Sequence, residues 1–179
     1  YIAVAGNYTE GYVPAGRDNI GLWKSADGGA TWERAYDGQE SSGYKEPASI
    51  DIDSNGRIWF GTKMNSYWSG GGQLFYSDDG SNWTEANLGL DALQSPDRVL
   101  VSVAQSDPNY VYAVISKNSP SKAEWLVRTS DGGTTWETLG VPRDDIVYTG
   151  ADCAFGDCSG QAGYSMSFAV DPTNPNVLY

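Results

Sequence analysis

The chain has 179 residues, 40% of them hydrophobic and 13% aromatic, with a formal net charge of −12. That length suits one ordinary domain with a buried core, and the acidic balance excludes the basic surface that nucleic acid or an anionic membrane would need. No run approaches the ~20 apolar residues of a membrane helix, and the absence of histidine removes imidazole acid–base catalysis and the usual zinc ligand sets.

Taken in order, the chain predicts short strands separated by turns and no amphipathic helix of useful length. We label the strands A to D within a recurring four-strand unit. Ile2–Gly6 reads as a B strand, and Asn7–Asn19 as a long polar loop broken by glycine and proline. Ile20–Ser25 is C and Trp32–Tyr36 is D, with Asp37–Glu46 as a connection. The second unit follows with A at Ala48–Asp53, B at Arg57–Thr62, C at Gln73–Ser77 and D at Trp83–Ala86. The third has A at Val99–Ala104, B at Tyr110–Ser116, C at Trp125–Thr129 and D at Thr135–Leu139. After the irregular stretch Gly140–Gly163, Tyr164–Val170 reads as an A strand and Asn176–Tyr179 as the start of a B strand.

One motif punctuates these units. Ser25–Trp32 reads SADGGATW, Thr129–Trp136 reads TSDGGTTW, and Ser77–Trp83 reads SDDGSNW, one residue shorter. The closing tryptophans Trp32, Trp83 and Trp136 are spaced by 51 and 53 residues, a period that marks repeat architectures. Each copy follows an apolar or aromatic run and predicts a tight turn between two strands. Gly29 and Gly133 supply the positive φ that such turns need. Asp27, Asp79 and Asp131, with the hydroxyls of Ser25, Ser77 and Thr129, are placed to accept hydrogen bonds from the turn's own N–H groups. Three regularly spaced aspartates also suit catalysis or metal binding, but the turn staple is the favoured reading. The tryptophans are large enough to fill gaps between packed sheets.

The pattern S-x-D-x-G-x-T-W resembles the Asp-box, or bacterial neuraminidase repeat, of β-propellers such as sialidases, sortilin-type receptors and xyloglucan-cleaving glycosidases. Ser106–Tyr112 and Val170–Tyr179 resemble the Asp-Pro turn that joins the first two strands of a blade in these families. The resemblance spans the whole chain. It implies an all-β propeller of four-stranded blades, with units at about 1–46, 47–97 and 98–163 and the next beginning at 164–179. Three blades fall short of the roughly four to eight of a closed propeller. The expected partners are therefore the remaining blades of a larger ring, or further copies of this chain exchanging Tyr164–Val170.

Propellers carry function on the loops of one face, and the candidate loops are Asn7–Asn19, Lys63–Gly72 and Gly140–Gly163. Tyr67 and Trp68, flanked by flexible glycines, form a candidate sugar-stacking platform that Tyr12 and Tyr44 would extend; covering a blade edge is the alternative. Asp144, Asp145, Asp152 and Asp157 offer clustered carboxylates of the kind calcium takes, although their spacing matches no EF-hand and a solvated acidic loop is the default. Cys153 and Cys158, with four residues between them, suit a local disulfide rather than a zinc or redox motif, with free thiols as the alternative. Asn7 and Asn82 fit the glycosylation sequon.

The resemblance to sialidases would imply an Arg-Ile-Pro motif and an arginine triad, and the chain has neither pattern. Nor does it match the catalytic aspartate contexts of the xyloglucan-cleaving glycosidases. The expected function is a non-catalytic propeller module of a secreted or cell-surface protein that binds a glycan or protein ligand or serves an assembly. Part of a glycoside hydrolase and a peptide-binding receptor propeller are the alternatives. Tyr1–Ala5 is too short and uncharged for a secretion signal, so a secreted form is expected to be processed or part of a longer protein.

Overall fold

The structure, a computed structural model, describes residues 1–4, 7–9, 13–15, 20–40, 43–64, 71–88, 96–118, 121–140 and 166–179. All the regular elements among them are β-strands. The first sheet joins β1 (Ile2–Val4), β4 (Gly21–Lys24) and β5 (Glu33–Tyr36) in that order. The second unit is an antiparallel meander of β8 (Glu46–Ile52), β9 (Ile58–Lys63), β10 (Leu74–Ser77) and β11 (Thr84–Glu85). The third repeats it with β12 (Pro96–Val103), β13 (Val111–Asn118), β14 (Ser121–Thr129) and β15 (Glu137–Leu139). A single pairing of Arg98 with Lys63 joins the second unit to the third. These are partial propeller blades, each a strand-to-strand meander in chain order.

Two expected loops contain pairing of their own. Within Asn7–Asn19, β2 (Asn7–Thr9) pairs with β3 (Val13–Ala15), and within Asp37–Glu46, β6 (Gln39–Glu40) pairs with β7 (Gly43–Tyr44). Backbone amides of a long connection need partners, and polarity alone does not announce where they find them. At the other end, among the described residues 166–179, the expected A and B strands meet in a bridge between Val170 and Leu178, with Ala169 and Tyr179 exchanging backbone hydrogen bonds beside it.

The core explains the sequence. Alternate residues of a strand point to opposite faces, and in the second and third units both faces are apolar. In β9, Phe60 meets Leu22, Tyr36 and Phe75 on one side, while Trp59 joins Val99, Val101 and Ile115 on the other. In β13, Val111, Ala113 and Ile115 face the second unit, and Tyr112 and Val114 face Met166 and Val170. A continuous run such as Val111–Ile115 is thus a strand covered on both sides, not a strand with one wet face. Three apolar layers result, one at each junction along the chain.

The inner strands are laced together by side chains. Ser49 Oγ donates to Val99 O at 3.2 Å and accepts from Val101 N at 3.1 Å. Asp51 Oδ2 accepts from Val103 N at 2.9 Å, and Ser102 Oγ accepts from Val170 N at 3.1 Å. Asp51 pairs opposite Trp59 and Ser102 opposite Tyr112, so the same position reaches the next inner strand in both units. Gly61 sits where β9 and β12 approach each other. A Cβ there would land on Val99 O.

Phe60→Ala should cost about 3–5 kcal/mol, the usual range for emptying a buried aromatic site. Ile2→Ala, at a side chain 48% exposed, should stay within about 0.5 kcal/mol. Equilibrium urea unfolding monitored by tryptophan fluorescence measures both.

Candidate functional site

The three repeated turns are built alike. Ser25 Oγ donates to Asp27 Oδ1 at 2.8 Å and accepts from Gly29 N at 2.7 Å. Thr129 Oγ1 does the same with Asp131 Oδ1 at 2.8 Å and Gly133 N at 2.9 Å. Each aspartate then closes the turn by accepting from a threonine four residues on. Thr31 N and Oγ1 reach Asp27 at 2.8 and 2.6 Å, and Thr135 N and Oγ1 reach Asp131 at 2.9 and 2.6 Å. The shorter copy keeps the scheme with one residue fewer. Asn82 stands in for the threonine, its N and Nδ2 both 2.7 Å from Asp79, while Ser77 Oγ accepts from Gly80 N at 2.8 Å. This is why a deletion inside the motif is tolerated: an amide side chain three residues on replaces a hydroxyl four residues on.

These donors stabilise the ionised carboxylates. Thr31's hydroxyl and amide, followed by Ser25's hydroxyl, hold Asp27 down to about 2. Thr135 and Thr129 do the same for Asp131, also about 2. The amides of Asn82, backbone and side chain, push Asp79 lower still. Asp171, in the turn before Leu178, is held near 2 by Thr173 and Tyr179. A carboxylate so held is a poor proton donor at neutral pH.

The tryptophans that close the turns differ in surroundings. Trp83 packs edge-on to Tyr36 and Phe60 and donates from Nε1 to Ala35 O at 2.8 Å, across the junction of the first and second units. Trp136 packs edge-on to Trp59 at a centroid distance of 6.1 Å, across the next junction. Both fill gaps between sheets as their size predicts. Trp32 does not. It is 41% exposed, donates to Gly29 O of its own turn at 3.0 Å, and lines an open apolar concavity with Ile2, Val4 and Trp23.

A polar groove of about 420 Å³ separates the turns of the second and third units. Arg57 spans it. Its Nε and Nη2 clamp Asp78 at 2.6 and 3.1 Å, its Nη1 donates to Gly132 O at 2.8 Å, and its guanidinium lies 4.8 Å from the Tyr76 ring centroid. The Asp78 hydrogen bonds, ahead of its charge, raise the Arg57 pKa against a partial burial that lowers it. Asp53, Asn55, Asn109 and Asp131 also line the groove. Of these, only Asp131 belongs to the repeated motif. The missed signal was topological: A–B and C–D turns of a meander leave the same end of the sheet, so Asp53–Arg57 and Asp78 must neighbour the next unit's turns.

The opposite strand ends carry a different set. Glu46, buried at the start of β8, has Oε2 3.6 Å from Lys63 Nζ at the end of β9, an ion pair too long for a hydrogen bond. Asp97 and Arg98 of β12 adjoin it. Burial raises the Asp97 pKa, with the Lys63 and Arg98 charges opposing, and burial lowers that of Arg98, with Asp97 opposing. The segments 65–70, 89–95 and 141–165 all depart from this end of the sheets. Tyr12, Tyr67, Trp68, Asp144, Asp145, Asp152, Asp157, Cys153 and Cys158 lie outside the described residues. Tyr44 is placed only through its backbone, paired with Gln39 in β7.

No family model matches the chain. No curated protein matches it either. Among solved structures, the chain is similar to the GH74 xyloglucanase of Xanthomonas campestris at TM-score 0.61 and 20% identity, over 89% of this chain and 22% of that one. It is similar to a GH74 enzyme of Niastella koreensis at TM-score 0.55 and 16% identity, over 87% and 23% of the two chains. YCF48 bound to D1 peptide aligns at TM-score 0.46 and 19% identity, over 67% and 34%. The chain therefore spans less than a quarter of each GH74 chain. At these identities the likeness is one of fold, and the fold is that of β-propeller blades.

Acid should loosen the turns in a defined window. Aspartates whose folded pKa lies near 2 against an ordinary value of 3.8 contribute stability fully present above pH about 4 and lost as pH falls from there toward 2. Asp131→Asn should lower stability at pH 7 and flatten its dependence between pH 4 and 2, as followed by thermal melts across that range.

Proposed function

We propose that this chain is part of an Asp-box β-propeller of a secreted or cell-surface protein, and that it acts there as a non-catalytic module binding a glycan or a protein. The observation that carries this reading is the engagement of the repeated aspartates. Asp27, Asp79 and Asp131 each spend their acceptor capacity on hydroxyls and amides of their own turn. Their regular spacing follows from bracing a repeated turn and needs no reaction to explain it.

The division of labour between the two ends of the sheets supports the same reading. One end is braced by turn hydrogen bonds and the Arg57 clamp. The other launches the segments that hold Tyr67, Trp68 and the acidic residues 144–157, where recognition belongs in this proposal. Loops held by a rigid scaffold are the usual carriers of binding. A net charge of −12 favours neutral glycans or cationic partners over anionic ones. The remaining blades, or further copies of the chain, complete the ring.

Incubation with a polysaccharide panel that includes xyloglucan tests the reading, with reducing-end release and affinity electrophoresis as readouts. The expected outcome is no release, with retarded migration in gels containing a bound glycan or capture of a protein ligand. Release of reducing ends would overturn the non-catalytic assignment and favour the glycoside hydrolase alternative.

A further inference from the structure

We infer that the polar groove between the turns of the second and third units is a binding site for an organic cation, the ammonium or guanidinium of a basic side chain, anchored on Asp53. It lies at the opposite end of the sheets from the segments to which the functional reading assigns recognition, and it does not rest on that reading. Both walls belong to this chain. Asp53–Arg57 joins β8 to β9, Asn109 precedes β13, and Asp131 follows β14.

Asp53 carries the inference. It is 6% exposed, and a carboxylate taken that far out of water needs partners. Its Oδ1 accepts from Asn55 N at 2.9 Å and Arg57 N at 3.0 Å, which shapes the turn. Its Oδ2 accepts from no group among the described residues. The nearby counter-ion is given elsewhere: the Arg57 guanidinium clamps Asp78 and donates to Gly132 O. Oδ2 is not sealed in the core, and the groove is the surface that Asp53 lines, so the unmatched oxygen opens onto it.

The surroundings name the ligand. Three carboxylates, Asp53, Asp78 and Asp131, line the groove against the one guanidinium of Arg57. Asp78 cancels that guanidinium, so the groove keeps a negative balance, and a cleft of one sign concentrates the opposite charge. The carboxamides of Asn55 and Asn109, both exposed residues, hydrogen-bond to nothing among the described residues and add two carbonyl acceptors. Asn109 Oδ1 sits beside the clamp: a Cβ on Gly132 would lie 3.7 Å from it and 4.0 Å from Arg57 Nη1. An ammonium or guanidinium brings the countercharge and several N–H donors at once. A neutral sugar brings donors without the charge, and an anion is repelled. A metal ion asks for converging oxygens, and among the described residues no three acidic side chains converge in that way. At about 420 Å³ the groove has room for one basic side chain.

Titration of the ¹⁵N-labelled chain with Nα-acetyl-arginine amide, followed by NMR, tests the site. Saturable shifts are expected at the side-chain amides of Asn55 and Asn109, and none with the neutral isostere Nα-acetyl-citrulline amide. Asp53→Asn keeps the Oδ1 acceptor of the turn and removes the charge, and it should weaken binding about tenfold or more. Asn55→Ala, which removes an exposed side chain with no partner to lose, should weaken it about threefold and decides the matter if Asp53→Asn does not fold. Absence of saturable shifts overturns the proposal, as does equal binding of the citrulline compound or undiminished binding by both variants. Calcium chloride moving the same signals at lower concentration than the arginine probe would assign the groove to a metal ion and overturn it likewise. Polysaccharide binding and hydrolysis bear on none of these readouts, so failure of the functional reading and failure of this one are separable.

Discussion

The three blade sheets among the described residues carry apolar side chains on both faces, and that constraint organises the rest. A strand such as β13 cannot expose either row of side chains without leaving valines or an isoleucine in water, at roughly 1.5–3 kcal/mol for each fully exposed side chain. Sheets of this kind must stack in series. The three apolar layers are the consequence, and the closing tryptophans Trp83 and Trp136 fill the gaps between successive sheets. The inner-strand contacts from Ser49, Asp51 and Ser102 fix the spacing that the apolar layers require. Where β9 and β12 come closest, only glycine fits at position 61.

The turn end of the stack answers a second requirement. Short turns between twisted strands leave backbone N–H groups without ladder partners. The aspartate and hydroxyl of each motif satisfy several of them at once, and the ionised carboxylate makes those hydrogen bonds stronger than neutral ones. Arg57 adds a link between neighbouring units by answering Asp78 in its own unit and Gly132 O in the next. One end of the stack is thereby braced by hydrogen bonds within and between units.

Much of this was legible in the sequence. The TSDGGTTW spacing located the turns, and their residues do what hydroxyl, carboxylate and glycine chemistry predicts. The strand positions followed from alternation and from apolar runs between turns. What was not legible depended on long-range neighbours. The exposure of Trp32 cannot be told from the partial burial of Trp83 and Trp136 by the motif, because the difference lies in what is packed opposite. Nothing local in the sequence marks Arg57 as a clamp, since its partners lie 21 and 75 residues away. The short pairings of β2 with β3 and β6 with β7 lie in segments whose polarity reads simply as loop.

Native-state hydrogen exchange tests the stacked-sheet account most directly. Amides of β13, covered on both faces, should exchange most slowly. Those of β1 and β4, in a sheet with one open face, should exchange markedly faster under the same conditions. Equal protection of β1, β4 and β13 would contradict it, because then covering both faces of a sheet would not be what holds this structure together.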